Sequence, residues 1–314
     1  MNRRTFLSTS VAIGAGLTLA GHVHAGGSET RLRKALIGQP DAQTLQRWKA
    51  ARFDGIETPK WQTSPREAAA ARRLAESFGM TIHSVLFGWG SLNGDAKAAA
   101  DSVAQMETAL QAARAYGAQT VLYVPCQIGG MAMPGPRELD VRFDEQSGHL
   151  RQVVAGDNAK YRKYIDAHNH ATDASREGIR RLIPTAEKTG VIIALENVWN
   201  GLWLKPDLFA NFVGSFHSPW VRAYFDIGNH VKYAPSQAWI ATLGSLLVRC
   251  HVKDFKLDGR GGGDFCNIRD GSVDWPAVRK SLDKIGYHGW LTIEGGDLSP
   301  EEHSERLDLI ISGK

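Results

Sequence analysis

Cysteine is scarce. Three in 314 residues exclude a disulfide scaffold, and no Cys-x-x-Cys pair marks a zinc site. No apolar run approaches the ~20 residues that a bilayer-spanning helix requires. Charge of one sign is lacking too: 37 basic residues against 33 acidic ones leave +4, and no basic run interleaved with aromatics marks a nucleic-acid surface. No glycine fingerprint follows the first candidate strand, so a dinucleotide-binding sheet has no support. What remains is a chain that is 43% hydrophobic with nine Trp. That suffices for one large domain or two small ones, and it is too mixed for a disordered or fibrous protein.

The N-terminus reads as an address rather than as fold. Asn2-Arg3-Arg4-Thr5-Phe6-Leu7 is followed by a short apolar stretch from Val11 to Ala20 and by an A-x-A-like site at Val23-His24-Ala25. The Arg-Arg-x-Phe-Leu pattern resembles a twin-arginine export signal. That resemblance implies that residues 1–25 are removed and that the twin-arginine export machinery is a partner. It also implies that residues 26–314 work in the periplasm, folded and metal-loaded before export. With Arg3 and Arg4 gone the charge falls to +2. Stable membrane insertion and nucleic-acid binding are both unexpected.

After residue 30, short apolar runs alternate with amphipathic stretches. The runs are Lys34–Ile37, Gly55–Glu57, Thr81–Leu86, Thr120–Val124, Val191–Glu196, Val221–Asp226, Leu247–His251 and Trp290–Glu294. Continuous aliphatic runs suit strands buried on both faces of a parallel sheet. Helices are expected over Ser64–Phe78, Ala96–Tyr116, Tyr161–Thr189 and Pro276–Ile285, all four followed directly by glycine. Eight strand-helix units in about 285 residues predict a single-domain α/β fold, a (β/α)8 TIM barrel. A doubly wound sheet fits the alternation nearly as well. Residues 126–160 and 254–275 break the spacing. The first is expected to be a lid or an oligomer contact, which makes a homo-oligomer plausible. The second, with Gly259 and Gly261 to Gly263, is expected to be a flexible turn.

The chemistry concentrates where the last four strands end. Glu196, Asp226, His251 and Glu294 each follow an apolar run. In a barrel, polar residues at successive carboxyl ends share one mouth. Three carboxylates and an imidazole repel one another there unless a cation sits among them. Oxygen-rich ligands with one His favour Mn²⁺, Mg²⁺ or Co²⁺ over a thiolate-loving metal. Around this set, Glu57, His83, Trp199, His230 and Lys253 are candidate substrate-binding residues. Trp61, Trp89 and Trp203 also lie near predicted strand ends, where flat aromatic faces can wall a pocket. Cys250, beside His251, is expected to point to the opposite side, into the core.

Glu196-Asn197-Val198-Trp199-Asn200, Phe225-Asp226-Ile227-Gly228-Asn229-His230, His251-Val252-Lys253-Asp254-Phe255, Gly271-Ser272-Val273-Asp274-Trp275-Pro276 and Gly289-Trp290-Leu291-Thr292-Ile293-Glu294 together resemble the xylose-isomerase-like TIM-barrel sugar isomerase/epimerase family. The likeness spans nearly the whole mature chain and specifies no single reaction. It implies one Mn²⁺-like ion on Glu196, Asp226, His251 and Glu294, with Glu196 and Glu294 as the catalytic acid–base pair on opposite faces of a sugar. The pattern departs at Asn229, where ketose epimerases of the family carry His, and at Lys253 and Lys256, the nearest counterparts of an Arg.

The expected activity is a metal-dependent sugar isomerase or epimerase working through an enediolate on a free or oxidised sugar. A lyase eliminating from a 3-keto-glycoside or keto-polyol is the alternative. A non-catalytic periplasmic sugar-binding barrel is the reading from another class.

Overall fold

The computed structural model describes residues 30–314; the expected export signal at residues 1–25 lies outside the described residues. Eight parallel strands close into a barrel. In chain order they are β1 (Leu32–Ile37), β2 (Gly55–Thr58), β3 (Thr81–Trp89), β4 (Thr120–Val124), β7 (Ile192–Glu196), β8 (Val221–Asp226), β9 (Leu247–Val252) and β12 (Gly289–Ile293), and β12 pairs with β1 to close the ring. Each is followed by a helix, directly or after an insertion: α1 (Ala42–Ala50), α2 (Pro65–Ser77), α3 (Ala96–Tyr116), α4 (Arg162–Thr189), α5 (Pro206–Gly214), α6 (Ser236–Leu243), α7 (Trp275–Lys284) and α8 (Pro300–Ile311). The (β/α)8 expectation therefore holds, and the doubly wound alternative falls to the β12–β1 pairing.

Local chemistry sets the helix ends. Ser64 and Glu67 form a reciprocal capping box at α2, with Pro65 at the first helical position, and Ser299, Glu302 and Pro300 repeat the device at α8. Asp95 and Asp274 accept a backbone N–H at the starts of α3 and α7. α3 stops at Gly117, whose φ of 74° a side-chain-bearing residue adopts at a cost.

The four missed helices, α1, α5, α6 and α8, are of 8–12 residues, too short to show a clear period between apolar runs. Burial follows the barrel plan. β4 and β12 are buried along their whole length. Leu122, Val124, Ala194 and Tyr224 fill the inside of the ring, while the larger core lies between strands and helices.

Both irregular segments carry hairpins. Within 126–160, β5 (Leu139–Phe143) pairs antiparallel with β6 (Leu150–Val154). It is tied to the helical shell where Asn169 Oδ1 accepts the Leu150 N–H at 2.7 Å. Within 254–275, β10 (Asp254–Leu257) pairs with β11 (Gly263–Cys266). The expected flexible turn is thus an ordered hairpin with its glycines at the tip. Buried Asp254 explains the order: its carboxylate accepts the N–H groups of Arg269, Gly271 and Val273 and the Trp275 indole N–H. The two insertions meet where the Arg137 guanidinium donates to the Gly259 carbonyl.

Candidate metal centre

Strand alternation places one face of each residue pair inside the ring. Tyr224 and Asp226, Arg249 and His251, and Thr292 and Glu294 are each two apart, so the second of each pair stands above the first. Glu196 closes β7. The result is a group in which Glu196, Asp226, His251 and Glu294 each offer one ligand atom, all within 4.8 Å of one another. His251 Nδ1 is the hub, 3.0 Å from Glu196 Oε1 and 3.1 Å from Glu294 Oε2. Lys253 Nζ lies 2.9 Å from Glu294 Oε2 and 3.6 Å from Asp226 Oδ2.

Backbone contacts hold these side chains in place. Asp226 Oδ1 accepts the N–H groups of Gly228 and Asn229 at 2.9 and 2.7 Å. Asn197 clamps the ends of β7 and β8 together: its Oδ1 accepts the Asp226 N–H, and its Nδ2 donates to the Asp226 carbonyl. Gly228 is required there, because a Cβ would sit 2.6 Å from the Lys253 carbonyl oxygen. Asn229 donates to the Asn197 carbonyl, so it braces the clamp.

The electrostatics are those of a site short of positive charge. Burial pushes the Asp226 carboxyl up to about 8, against the pull of Lys253. Burial likewise raises Glu196. Glu294 goes the other way: burial opposes its charge, yet His251 and Lys253 together hold its carboxyl well below the carboxylate range. Burial also opposes the His251 imidazolium, but Tyr224 and the carboxylates of Glu294, Glu57 and Glu196 around it prevail and raise it well above its ordinary value. Asp226 Oδ2 is buried with no hydrogen-bond partner, and Glu294 Oε2 has close cations without hydrogen-bond geometry. Two such oxygens, a third carboxylate and an imidazole fit a hard divalent cation.

The predicted substrate residues separate into two groups. Lys253 stands at the cluster. Trp199 is at the mouth, 41% exposed, with Phe265 of β11 4.8 Å from its ring and the Lys232 ammonium 3.3 Å from its centre. Phe265, Lys253, Asn267 and Glu294 line one cavity of about 380 Å³. Glu57, His83 and His230 are 1% exposed or less. His230 packs on Trp239 and Tyr233 with Nε2 on the Val198 carbonyl, and burial pushes its pKa down to about 3. A ring enclosed in that way has no face for a sugar. His83 stacks on Trp290 at 4.4 Å inside the ring and meets Thr292 Oγ1 at 3.0 Å. Glu57 bonds His251 Nε2 at 2.6 Å. Trp203 is core, stacked on Phe212 at 3.9 Å, and Cys250 is core as expected.

Sequence reasoning missed Asn197, Tyr224 and Asp254. Tyr224 had a readable signal, since it lies two before Asp226 and so faces inward with it.

Comparison with known proteins agrees with this geometry. The profile of the xylose isomerase-like TIM barrel family matches residues 45–311. The rhizopine catabolism protein MocC of Rhizobium meliloti is 24% identical over 277 residues, which covers 81% of this chain and 74% of MocC. The 3-keto-D-glucoside 4-epimerase YcjR of E. coli superposes with a TM-score of 0.64 at 13% identity, over 90% of this chain and all of YcjR. A xylose isomerase-like TIM barrel protein of Mycobacterium smegmatis, solved in complex with magnesium, gives 0.59 at 19% identity, over 87% of each chain. The chain belongs to the xylose isomerase-like TIM barrel family.

Proposed function

We propose that this protein is a metal-dependent sugar isomerase or epimerase, acting through an enediolate on a free or oxidised (keto) sugar. One observation carries the reading. Glu196 and Glu294 approach the same imidazole nitrogen at 3.0 and 3.1 Å, and their surroundings push their protonation in opposite directions. Two carboxyl groups poised apart in this way are what a base and an acid on one substrate require. Support comes from the sugar-epimerase relative YcjR and from the magnesium bound by the M. smegmatis barrel.

Glu196, Asp226, His251 and Glu294 would hold the ion, Mn²⁺ foremost. When bound, the ion supplies Lewis-acid stabilisation of charge on a carbonyl oxygen. Glu294, held ionised, takes the proton from the carbon next to the sugar carbonyl. Glu196, the carboxyl whose hold on a proton burial strengthens, returns a proton on the other face. The Lys253 ammonium donates a hydrogen bond to developing negative charge. Trp199 and Phe265 wall the mouth and keep water from the exposed carbanion face.

Lys253 also favours a second reading. A positive donor 2.9 Å from the base suits protonation of a leaving group, which makes the protein a lyase on a 3-keto-glycoside or keto-polyol. Product mass separates the two: an isomer keeps the substrate mass, whereas a lyase product has lost water or an aglycone. Glu294→Gln and Glu196→Gln each lower kcat by about 10²–10⁴ under either reading. Turnover unchanged in both variants removes the acid–base assignment. A barrel that binds sugars with no turnover in the wild type is the non-catalytic outcome.

The proposed setting is the periplasm, reached through the twin-arginine route. This rests on Arg3-Arg4-Thr5-Phe6-Leu7 and the apolar stretch after it. No helix of the described residues is long and apolar enough to cross a membrane.

A further inference from the structure

Glu57 ends up far from the role its sequence position suggested. It lies on β2, is fully buried, and its Oε2 stands 2.6 Å from His251 Nε2, on the opposite side of the ring from Glu196 and Glu294. The same oxygen accepts the Tyr224 hydroxyl at 3.1 Å. Tyr224 in turn lies 3.4 Å from Thr292 Oγ1, and Thr292 lies 3.0 Å from His83 Nε2. His83 is set by its stack on Trp290. A buried hydrogen-bonded column thus runs down the barrel from the cluster, through side chains of β9, β2, β8, β12 and β3.

We propose that Glu57 is the positioning residue of the metal centre: it holds the His251 ring with Nδ1 delivered to the carboxylates, and Tyr224 holds Glu57. The inference rests on the metal-centre reading above. An imidazole that gives Nδ1 to an ion carries its one proton on Nε2, and that N–H needs an acceptor. Among the described residues, the acceptor that meets Nε2 is Glu57 Oε2, at 2.6 Å. Glu57 supplies the acceptor, sets the tautomer, and through its negative charge makes Nδ1 a stronger donor to a cation. Glu57 and His83 therefore serve the site from below and touch no sugar.

The test is Mn²⁺ affinity of the full chain, from the free-Mn²⁺ electron paramagnetic resonance signal, beside the thermal melt of the metal-free protein. Glu57→Gln keeps shape and loses charge; Kd should rise about 10-fold, and Glu57→Ala should approach about 100-fold. Tyr224→Phe, which loosens Glu57 without removing it, should fall below Glu57→Gln. The metal-free melting temperature of Glu57→Gln should stay within about 2 °C of wild type, because a merely structural role would move stability and affinity together. If Glu57→Ala fails to fold, Glu57→Gln and Tyr224→Phe carry the test. A Glu57→Gln Kd within twofold of wild type overturns this inference alone, and so does a parallel loss of metal-free stability. Wild-type protein that takes up no Mn²⁺ overturns the metal centre and this inference with it.

Discussion

Asp226→Asn isolates the metal from the fold. Asp226 Oδ1 accepts two backbone N–H groups, and an asparagine amide oxygen can keep both. The change falls on Oδ2, buried and without a hydrogen-bond partner, 3.6 Å from Lys253 Nζ. Lys253 keeps Glu294 at 2.9 Å, so no ammonium is stranded. Asparagine puts a buried amide N–H₂ where that oxygen stood, and one unsatisfied buried group costs about 1–3 kcal/mol, so the metal-free variant should melt a few degrees below metal-free wild type at most and still fold. Metal should then stabilise only the wild type. At a Mn²⁺ concentration 100 times Kd, binding to the folded state adds about 2.7 kcal/mol. At about 2–4 °C per kcal/mol for a large domain, that is a rise of about 5–10 °C. If losing the Asp226 charge weakens binding about 100-fold, the same Mn²⁺ sits at Kd and adds only about 0.4 kcal/mol, near 1 °C. The assay is differential scanning calorimetry of chelator-treated protein across a Mn²⁺ series. A variant that keeps the wild-type metal shift would refute the assignment of Asp226 as a ligand. A variant that unfolds without metal would refute the claim that its fold role resides in Oδ1 alone.

Other outcomes follow from the same geometry. Asp226 in the metal-free fold is raised to about 8 from an ordinary 3.8, so the folded state keeps a proton that the unfolded chain gives up. That stability is complete below about pH 4 and drains as pH climbs through 8; because buried His83, His168 and His230 act in the opposite sense, the check is the urea midpoint of metal-free wild type minus that of Asp226→Asn, which should fall between pH 5 and 8, and a rising difference contradicts the shift. Cys126 and Cys250 are buried with thiols pushed up to about 11 and about 12, whereas Cys266 is partly open on β11. Mass-mapped alkylation of native protein should mark Cys266 first and the other two only on unfolding. Gly228→Ala drives a Cβ against the Lys253 carbonyl at 2.6 Å and must displace the turn that holds Asp226. Mn²⁺ binding should weaken at least tenfold while far-ultraviolet circular dichroism stays barrel-like, and unchanged affinity would show that the turn can yield without moving its carboxylate.

Most of the barrel was legible because strand burial on both faces leaves a continuous apolar run. Thr120–Val124 and Val221–Asp226 match their strands residue for residue. The convergence of Glu196, Asp226, His251 and Glu294 was legible for a related reason: a polar residue closing an apolar run must point at something, and these four endings meet. The rest depended on contacts between distant residues. Nothing near Glu57 in the chain announces His251, 194 positions away. His230 looked like a site residue because it neighbours Asp226 by number, yet it turns outward onto Trp239. The 254–275 glycines looked mobile because the order there comes from Asp254, a carboxylate whose partners lie 15 to 21 residues downstream. Short helices such as α5 and α6 gain their stability from packing on the strands, which no local pattern displays.

Deuterium exchange tests the central claim most directly. Mn²⁺-loaded protein is incubated in D₂O with ketoses, aldoses and 3-keto-glycosides, and the sugars are read by mass spectrometry and NMR. The account predicts one solvent deuteron at the carbon beside the carbonyl, in an isomer otherwise unchanged in mass, with exchange lost in Glu294→Gln. Loss of water or an aglycone would replace the isomerase with a lyase. Turnover of a sugar to its isomer with no solvent deuterium, undiminished in Glu294→Gln, would contradict the proton-transfer chemistry assigned to this site.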